Sequence, residues 1–396
     1  MLDVLTLIAR RHYLFGLDIE QNEQELSDTV KASRFLVLGG AGSIGKAVTK
    51  ELFKRNPKKL HVVDLNENNL VELVRDLRSS IGYIKGDFKS YALDIGTNEY
   101  DAFIKADGQY DFVLNLSALK HVRSEKDQFT LMRLINVNIL NTEKTIRQSI
   151  SAGVKKYFCV STDKAANPVS IMGASKQIME MFLAHYGKII NISTARFANV
   201  AFSDGSLLYS FQQRLANLQP IVAPSDVKRY FVTSKEAGEL CLLSCILGKE
   251  HEIFFPKLDE TLHLQTFKDI AIRFLKANNY DPVICINEDE ARLMAKSSIS
   301  QGKWPCLFFN SDTTGEKEYE EFYVRGEPLD LDRFEDIGIV FNRLDFDVDK
   351  LNSFREHVNR YLISNTWTKQ NLLDLIYEVL PKFSHKETGK HLDSKM

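Results

Sequence analysis

Cysteine is sparse in this sequence and charge of one sign is not in excess. The five cysteines, Cys159, Cys241, Cys245, Cys285 and Cys306, are odd in number and scattered. Cys241 and Cys245 would share a helix face, but no second pair completes a zinc site. Reduced, buried thiols in a cytoplasm are therefore expected, with no metal centre. Lys and Arg total 51 against 53 Asp and Glu, a formal net charge of -2. No global field then draws the chain to nucleic acid or to an anionic membrane, and an anionic ligand must be held by local basic groups or helix N-termini. Long apolar runs are missing too: none approaches the roughly 20 residues that span a bilayer. The opening MLDVLTLIARRHYLF carries Asp3 and Arg10-Arg11, which do not fit a signal peptide. A cytoplasmic protein without membrane insertion is the expectation. There are no internal repeats and no low-complexity linker.

What is present is the makings of an α/β fold. The 396 residues, 44% hydrophobic and 26% charged, suffice for one large α/β domain with an appended lobe or for two domains. After an arm (1–33) that is acidic and polar over 17–30, RFLVLGG reads as a buried parallel strand. SIGKAVTKELFKR has helical periodicity, KLHVVDLN is a second strand, NLVELVRDLRSS a helix and YDFVLNLSA another strand. A long helical segment, FTLMRLINVNILNTEKTIRQSISAG, leads to the strand KKYFCVST. Strands alternating with helices at this spacing predict a Rossmann-type, doubly wound parallel sheet over 34–200. From 201 to 345 the alternation loosens into a smaller C-terminal substrate-binding lobe, with HEIFFP returning a strand to the core. Two amphipathic helical patterns and a disordered tail, KETGKHLDSKM, are expected over 346–396.

GGAGSIG sets Gly39, Gly42 and Gly45 in a GxxGxxG spacing after a strand, with Ser43 and Ile44 opening a helix. Glycines there permit a tight turn and let backbone approach a pyrophosphate, which the helix N-terminus holds. Asp64 ends the next strand 19 residues after Gly45, placed to bind both ribose hydroxyls of NAD and to repel the 2′-phosphate of NADP. It is equally placed to cap the helix that starts at Asn66, and the two roles are compatible. Asp94 and Ile95 would lie beside the adenine if YALD is the third strand, and Ser117, Ala118 and Lys120 of LSALK along the cofactor.

STDKAANPVSIMGASK raises a different question. VSTDK ends a strand at the carboxyl edge of the sheet, where open α/β sheets bind ligands. Met172 and Lys176 stand at i and i+4, on one helical face. In a hydride-transfer site the pair is usually Tyr and Lys, the ammonium lowering the Tyr pKa so that a phenolate takes a proton from a sugar hydroxyl. Met has no proton to titrate.

The chain resembles an extended short-chain dehydrogenase/reductase, and within it the CapD-like polysaccharide-biosynthesis group of UDP-N-acetylhexosamine 4,6-dehydratases. The matching pieces are GGAGSIG, SALKHV, INVNILNT, STDKAANPVSIMGASK, ARFANV, KRYFVTSKEA and TGEKEYEEFY, with LIARRHYLFGLDIEQNEQEL before them. They run in order from about residue 5 to 325. The resemblance implies oxidation of a nucleotide sugar at C4, loss of water across C5 and C6, and return of hydride to C6. It implies that Thr162 bonds the C4 oxygen, Asp163 protonates the departing C6 hydroxyl and Lys164 removes the C5 proton. Lys176 would hold the nicotinamide ribose, and Met172 marks a subgroup in which Thr162, Asp163 or a water relays the C4 proton. Lys120, His121, Asn199, Arg229 and Glu316 would contact substrate, Arg229 as a clamp on the pyrophosphate. Arg123, in the same loop as His121, stands where many relatives have Pro, which bears on its own role. Two departures bear on which nucleotide and sugar bind: Thr313-Thr314 where relatives often have Arg-Pro, and a long insert over 287–304. The readings that compete are a C5 or C4 epimerase on the same fold and a non-catalytic NAD-binding protein. Family members are oligomers, so a homo-oligomer is expected.

Overall fold

The computed structural model describes residues 3–257, 264–311, 320–341 and 346–385. Its centre is a nine-stranded sheet. In chain order the strands are β1 (Arg34–Leu38), β2 (Lys59–Asp64), β3 (Asp87–Ala92), β4 (Phe112–Asn115), β5 (Lys156–Thr162), β6 (Asn191–Phe197), β7 (Glu252–Pro256), β8 (Leu329–Asp330) and β9 (Ile337–Phe341). Across the sheet they lie 8-9-7-6-5-4-1-2-3, parallel from β3 to β7 and antiparallel where β9 joins β7 and β8. The order reverses between β1 and β4, the point at which doubly wound sheets open a crevice for ligand. In register Leu38 lies opposite both Val63 and Asn115, and Thr162 opposite Phe197, so these strand ends share one edge.

β1 shows why both faces must be covered. Leu36 and Leu38 point to one apolar layer, Phe35 and Val37 to the other, and all four are buried. The first layer is filled by the helices Asn141–Ser151 and Ile171–Gly187 and by the two C-terminal helices, Val348–Ser364 and Lys369–Val379. The second is filled by the helices Ser43–Phe53, Glu67–Ser80 and Ser234–Leu247. A third cluster, around Trp304, Phe211 and Phe274, is the core of the smaller lobe, beneath a parallel three-stranded sheet ordered Asp281–Ile284, Lys303–Phe309, Ile221–Pro224. HEIFFP does return a strand to the main sheet, parallel to β6.

The N-terminal segment differs from a loose polar arm. Leu5, Leu7 and Ile8 are buried in the cluster of the smaller lobe, and residues Gly16–Ala32 form a helix that buries Leu26 and Val30. So thin an apolar stripe among acidic residues is easily read as polar chain. Asp18 on that helix accepts from the backbone N–H of Glu335 (2.6 Å) and Asp336 (3.0 Å), and burial raises its pKa. A buried ion pair completes the tie. Arg10 donates through Nη1 to Glu236 Oε2 at 2.9 Å, and Glu236 also accepts from Leu14 N–H at 2.7 Å. Both side chains are almost wholly enclosed, at 2% and 0% exposure. Glu236→Ala would strand the Arg10 charge in the interior, and denaturant unfolding is expected to show a loss of about 3–5 kcal/mol. A loss below ~1 kcal/mol would mean that the segment is not held this way.

Candidate functional site

The glycine turn is built by contact as well as by conformation. Gly39 has φ +69°, and a Cβ there would sit 2.7 Å from Ser117 N. A Cβ on Gly45 would sit 2.2 Å from Gly39 O, so the helix Ser43–Phe53 starts directly against the turn. Gly42 is that helix's N-cap and has no such neighbour, the nearest atom to an added Cβ being Gly39 O at 3.6 Å. Space is thus left beside Gly42 at the start of the helix. Asp64 accepts from Ala41 N–H and from Asn66 N–H, each at 2.9 Å, so it braces the glycine turn and shapes the start of the next helix together.

A cavity of about 200 Å³ opens beside this turn, lined by Gly39, Asp64, Asp94, Ile95, Ser117 and Ala118. It also takes in Arg133, Val137 and Asn141, which the sequence did not single out. Arg133 is paired with Asp94 at 2.9 Å. Asn141 is 4% exposed, and its Nδ2 has no hydrogen-bond partner. An apolar slot with one orphaned buried donor suits an adenine ring, whose nitrogens accept. The residues present fit a nicotinamide dinucleotide.

At the end of β5, Thr162 Oγ1 donates to Asp163 Oδ1 at 2.7 Å, and Lys164 Nζ donates to the same oxygen at 3.3 Å. Asp163 is buried while the Lys164 side chain is 31% exposed, so the amine faces the open edge. The helix Ile171–Gly187 packs close behind, because a Cβ on Gly173 would lie 2.6 Å from Lys164 O. Met172 is buried, and its N–H donates to Glu125 Oε1 at 2.8 Å. Lys176 shares its face and is buried as well. Its Nζ donates to Val160 O at 3.0 Å, and burial pulls its pKa down.

Other predicted contacts fall on the loops above this edge. Lys120 Nζ donates to Ser203 Oγ at 3.3 Å, and His121 lies against Gly205. Burial lowers the pKa of both. The same loop returns to the glycine turn, since Asp204 N–H donates to Ser43 Oγ at 2.8 Å. Asn199 and Arg229 lie on the short strands Asn199–Val200 and Lys228–Arg229, with Arg229 Nη1 donating to Lys228 O at 2.7 Å. Glu316 lies outside the described residues, as do Thr313, Thr314 and the tail from Lys386. Glu320, which the sequence gave no reason to choose, is buried where Asn199 Nδ2 donates to its Oε1 and Tyr230 N–H to its Oε2 at 2.7 Å. Ser161 Oγ donates to Glu180 at 2.6 Å, Glu180 pairs with Arg196 at 2.6 Å, and Arg196 Nη1 donates to Phe322 O at 2.6 Å. That buried chain ties the Glu320 segment to the strand carrying Thr162.

Among the described residues no helix is long and apolar enough to cross a membrane, and no cluster of metal-ligating side chains is found. Among solved structures the fold is similar to Pen from Bacillus thuringiensis (TM-score 0.64, 22% identity, 80% of this chain and 89% of that one). It is also similar to DesIV, a dTDP-glucose 4,6-dehydratase from Streptomyces venezuelae with NAD bound (TM-score 0.55, 18% identity, 73% and 87%). In sequence, the chain is 31% identical to an uncharacterized membrane protein of Methanocaldococcus jannaschii over 80% of its own length and 88% of that protein's. It is 28% identical to the capsular polysaccharide biosynthesis protein CapD of Staphylococcus aureus, matching 79% of its own length and 49% of CapD's. It is also 28% identical to an inverting UDP-N-acetylglucosamine 4,6-dehydratase of Campylobacter jejuni (56% and 66%). The chain thus spans about half the length of CapD and of the similar EpsC of Bacillus subtilis. The model of the polysaccharide biosynthesis protein family matches residues 35–340, and the chain belongs to that family.

Proposed function

We propose that this protein is an NAD-dependent lyase, a nucleotide-sugar 4,6-dehydratase acting on a UDP-N-acetylhexosamine, UDP-N-acetylglucosamine first among them, in polysaccharide biosynthesis. The observation that carries the reading is the Thr162–Asp163–Lys164 arrangement at the end of β5, with both neighbours bonded to one carboxylate oxygen. Gly39, Gly42, Ser43, Ile44 and Gly45 would hold the cofactor diphosphate, Asp64 its ribose, and Asp94, Ile95, Ser117, Ala118 and Asn141 the adenine side. Asp64 favours NAD over NADP, since a carboxylate there repels a 2′-phosphate. A nicotinamide dinucleotide so bound supplies the reversible acceptance of hydride that oxidation at C4 and reduction at C6 require.

The protein's own residues then handle protons. For the cycle to close without an outside acid or base, the C5 proton must go to the Lys164 nitrogen and the C4 proton to Asp163. Thr162 accepts the C4 hydroxyl proton as it passes its own to Asp163 Oδ1, which it already faces at 2.7 Å. Lys164 takes the C5 proton, Asp163 gives its proton to the departing C6 hydroxyl, and water leaves. Protonation of C5 by Lys164 restores the starting state. The net change is loss of one water, with the proton from C4 leaving inside it. Such a relay accounts for Met172, because no phenol is needed at C4.

Incubation with UDP-N-acetylglucosamine should yield a product lighter by one water, and no such product from any UDP- or GDP-hexosamine would sink the reading. Thr162→Val removes the relay hydroxyl. Initial-rate kinetics should show kcat lower by about 10²-fold, the lower end for a positioned proton transfer, with cofactor affinity unchanged. An undiminished kcat would send the C4 proton by another route.

A further inference from the structure

Glu320 is a buried carboxylic acid at the junction of two parts of the site, and the proton cycle above does not use it. It is 8% exposed. Its oxygens meet the Asn199 amide and the Tyr230 N–H, on the side where Arg229 lies. The ionisable groups that act on it are Asp163, Lys164 and Arg229. From behind, its segment is fixed by Arg196, which bonds Phe322 O at 2.6 Å and is itself held by Glu180.

We propose that Glu320 is a positioning residue, which orients the Asn199 amide and the Tyr230 backbone toward the diphosphate of a nucleotide sugar and so sets where the hexose lies relative to Asp163 and Lys164. This rests on the nucleotide-sugar reading of the site. The reason is electrostatic. An ionised carboxylate in this enclosure would stand close to a diphosphate carrying two negative charges, in surroundings that screen poorly. A neutral acid removes that repulsion, and its oxygens keep the capacity to accept from the Asn199 amide and the Tyr230 N–H. Burial pushes the Glu320 carboxyl up to about 8, the charge of Asp163 acts in the same sense, and Lys164, the Tyr230 N–H and Arg229 oppose it.

The sign follows for stability as well as for binding. The folded state keeps a proton that the unfolded chain releases near 4.5, so this group's contribution falls as pH rises from about 4.5 to about 8.

The test is equilibrium binding of UDP-N-acetylglucosamine to the NADH-loaded protein, in which oxidation of C4 cannot begin. Its diphosphate does not titrate over the range used. Between about pH 6.5 and about pH 9 wild type is expected to weaken roughly tenfold, as the neutral form drops to about a tenth of the population. Glu320→Gln, an uncharged mimic of the acid, should bind within about threefold of wild type at the lower pH and stay flat to the higher one. Glu320→Ala should bind weakly at both. The proposal is overturned if Glu320→Gln weakens with pH as wild type does, if it binds as poorly as Glu320→Ala at the lower pH, or if wild type does not bind. Binding that follows the expected pattern without turnover in the NAD form would overturn the dehydratase reading alone.

Discussion

Lys164→Met is expected to leave the dinucleotide bound and to stop the loss of water, with kcat lower by about 10³–10⁴-fold, the upper part of the range for a positioned base. Methionine keeps the length and apolar stem of lysine and deletes only the amine. Lys164 Nζ donates to Asp163 Oδ1 at 3.3 Å, and its side chain is 31% exposed. Asp163 is enclosed and only the lysine is partly exposed, so losing the amine also costs stability, and a cooperative melting curve of the variant separates that cost from the chemical loss. Three readouts separate the roles: product mass, exchange of the C5 hydrogen with solvent, and NAD affinity. The first two should vanish and the third should hold. A kcat within tenfold of wild type would remove Lys164 from the chemistry and leave its contact with Asp163 as the whole of its role.

Gly45→Ala is expected to have the next largest effect, this time on the cofactor. The added Cβ would stand 2.2 Å from Gly39 O and 2.6 Å from Gly40 Cα, and both are backbone atoms that cannot swing aside. Gly39 has little room to retreat, because it already rests against the backbone of Leu116 and Ser117. The turn and the helix N-terminus must therefore separate. A stability loss of about 1–3 kcal/mol from overpacking is expected, with NAD affinity weaker by roughly 100-fold, or about 2.7 kcal/mol. Gly42→Ala is the matched control, since its Cβ would meet nothing nearer than 3.6 Å. It should spare stability while still standing where the diphosphate approaches. Calorimetric titration of both variants with NAD, beside their melting curves, separates the effects. Equal melting and equal affinity in Gly45→Ala and wild type would contradict the contact account.

These two sites were the most readable parts of the sequence, for a common reason. The glycine turn and STDK each work through neighbours within a few residues, so spacing alone states the requirement. The parallel sheet was readable in the same way, from buried strands such as RFLVL alternating with amphipathic helices. Lys176 was only half readable. The i, i+4 step from Met172 fixes its helix face, whereas the direction of its amine, toward Val160 O, depends on how that helix docks on β5. The segment Gly16–Ala32 hid behind its acidic surface, since its burial rests on few apolar residues and on Asp18 reaching the chain at Glu335 and Asp336. Glu320 was not readable at all. In EYEEFY it is one acid among several, and only the fold carries it to Asn199 and Tyr230. Asn141 likewise gains its meaning from being buried with an unmet donor beside the cavity.

The central claim, that Asp163 and Lys164 carry out an elimination at C5 and C6, is tested most directly by turnover in deuterium oxide. UDP-N-acetylglucosamine incubated with the NAD-loaded protein should give a nucleotide sugar that has lost one water and carries deuterium at C5, while Lys164→Met gives neither change. Conversion of the sugar with no loss of water, whether by inversion at C4 or by C5 exchange alone, would contradict it.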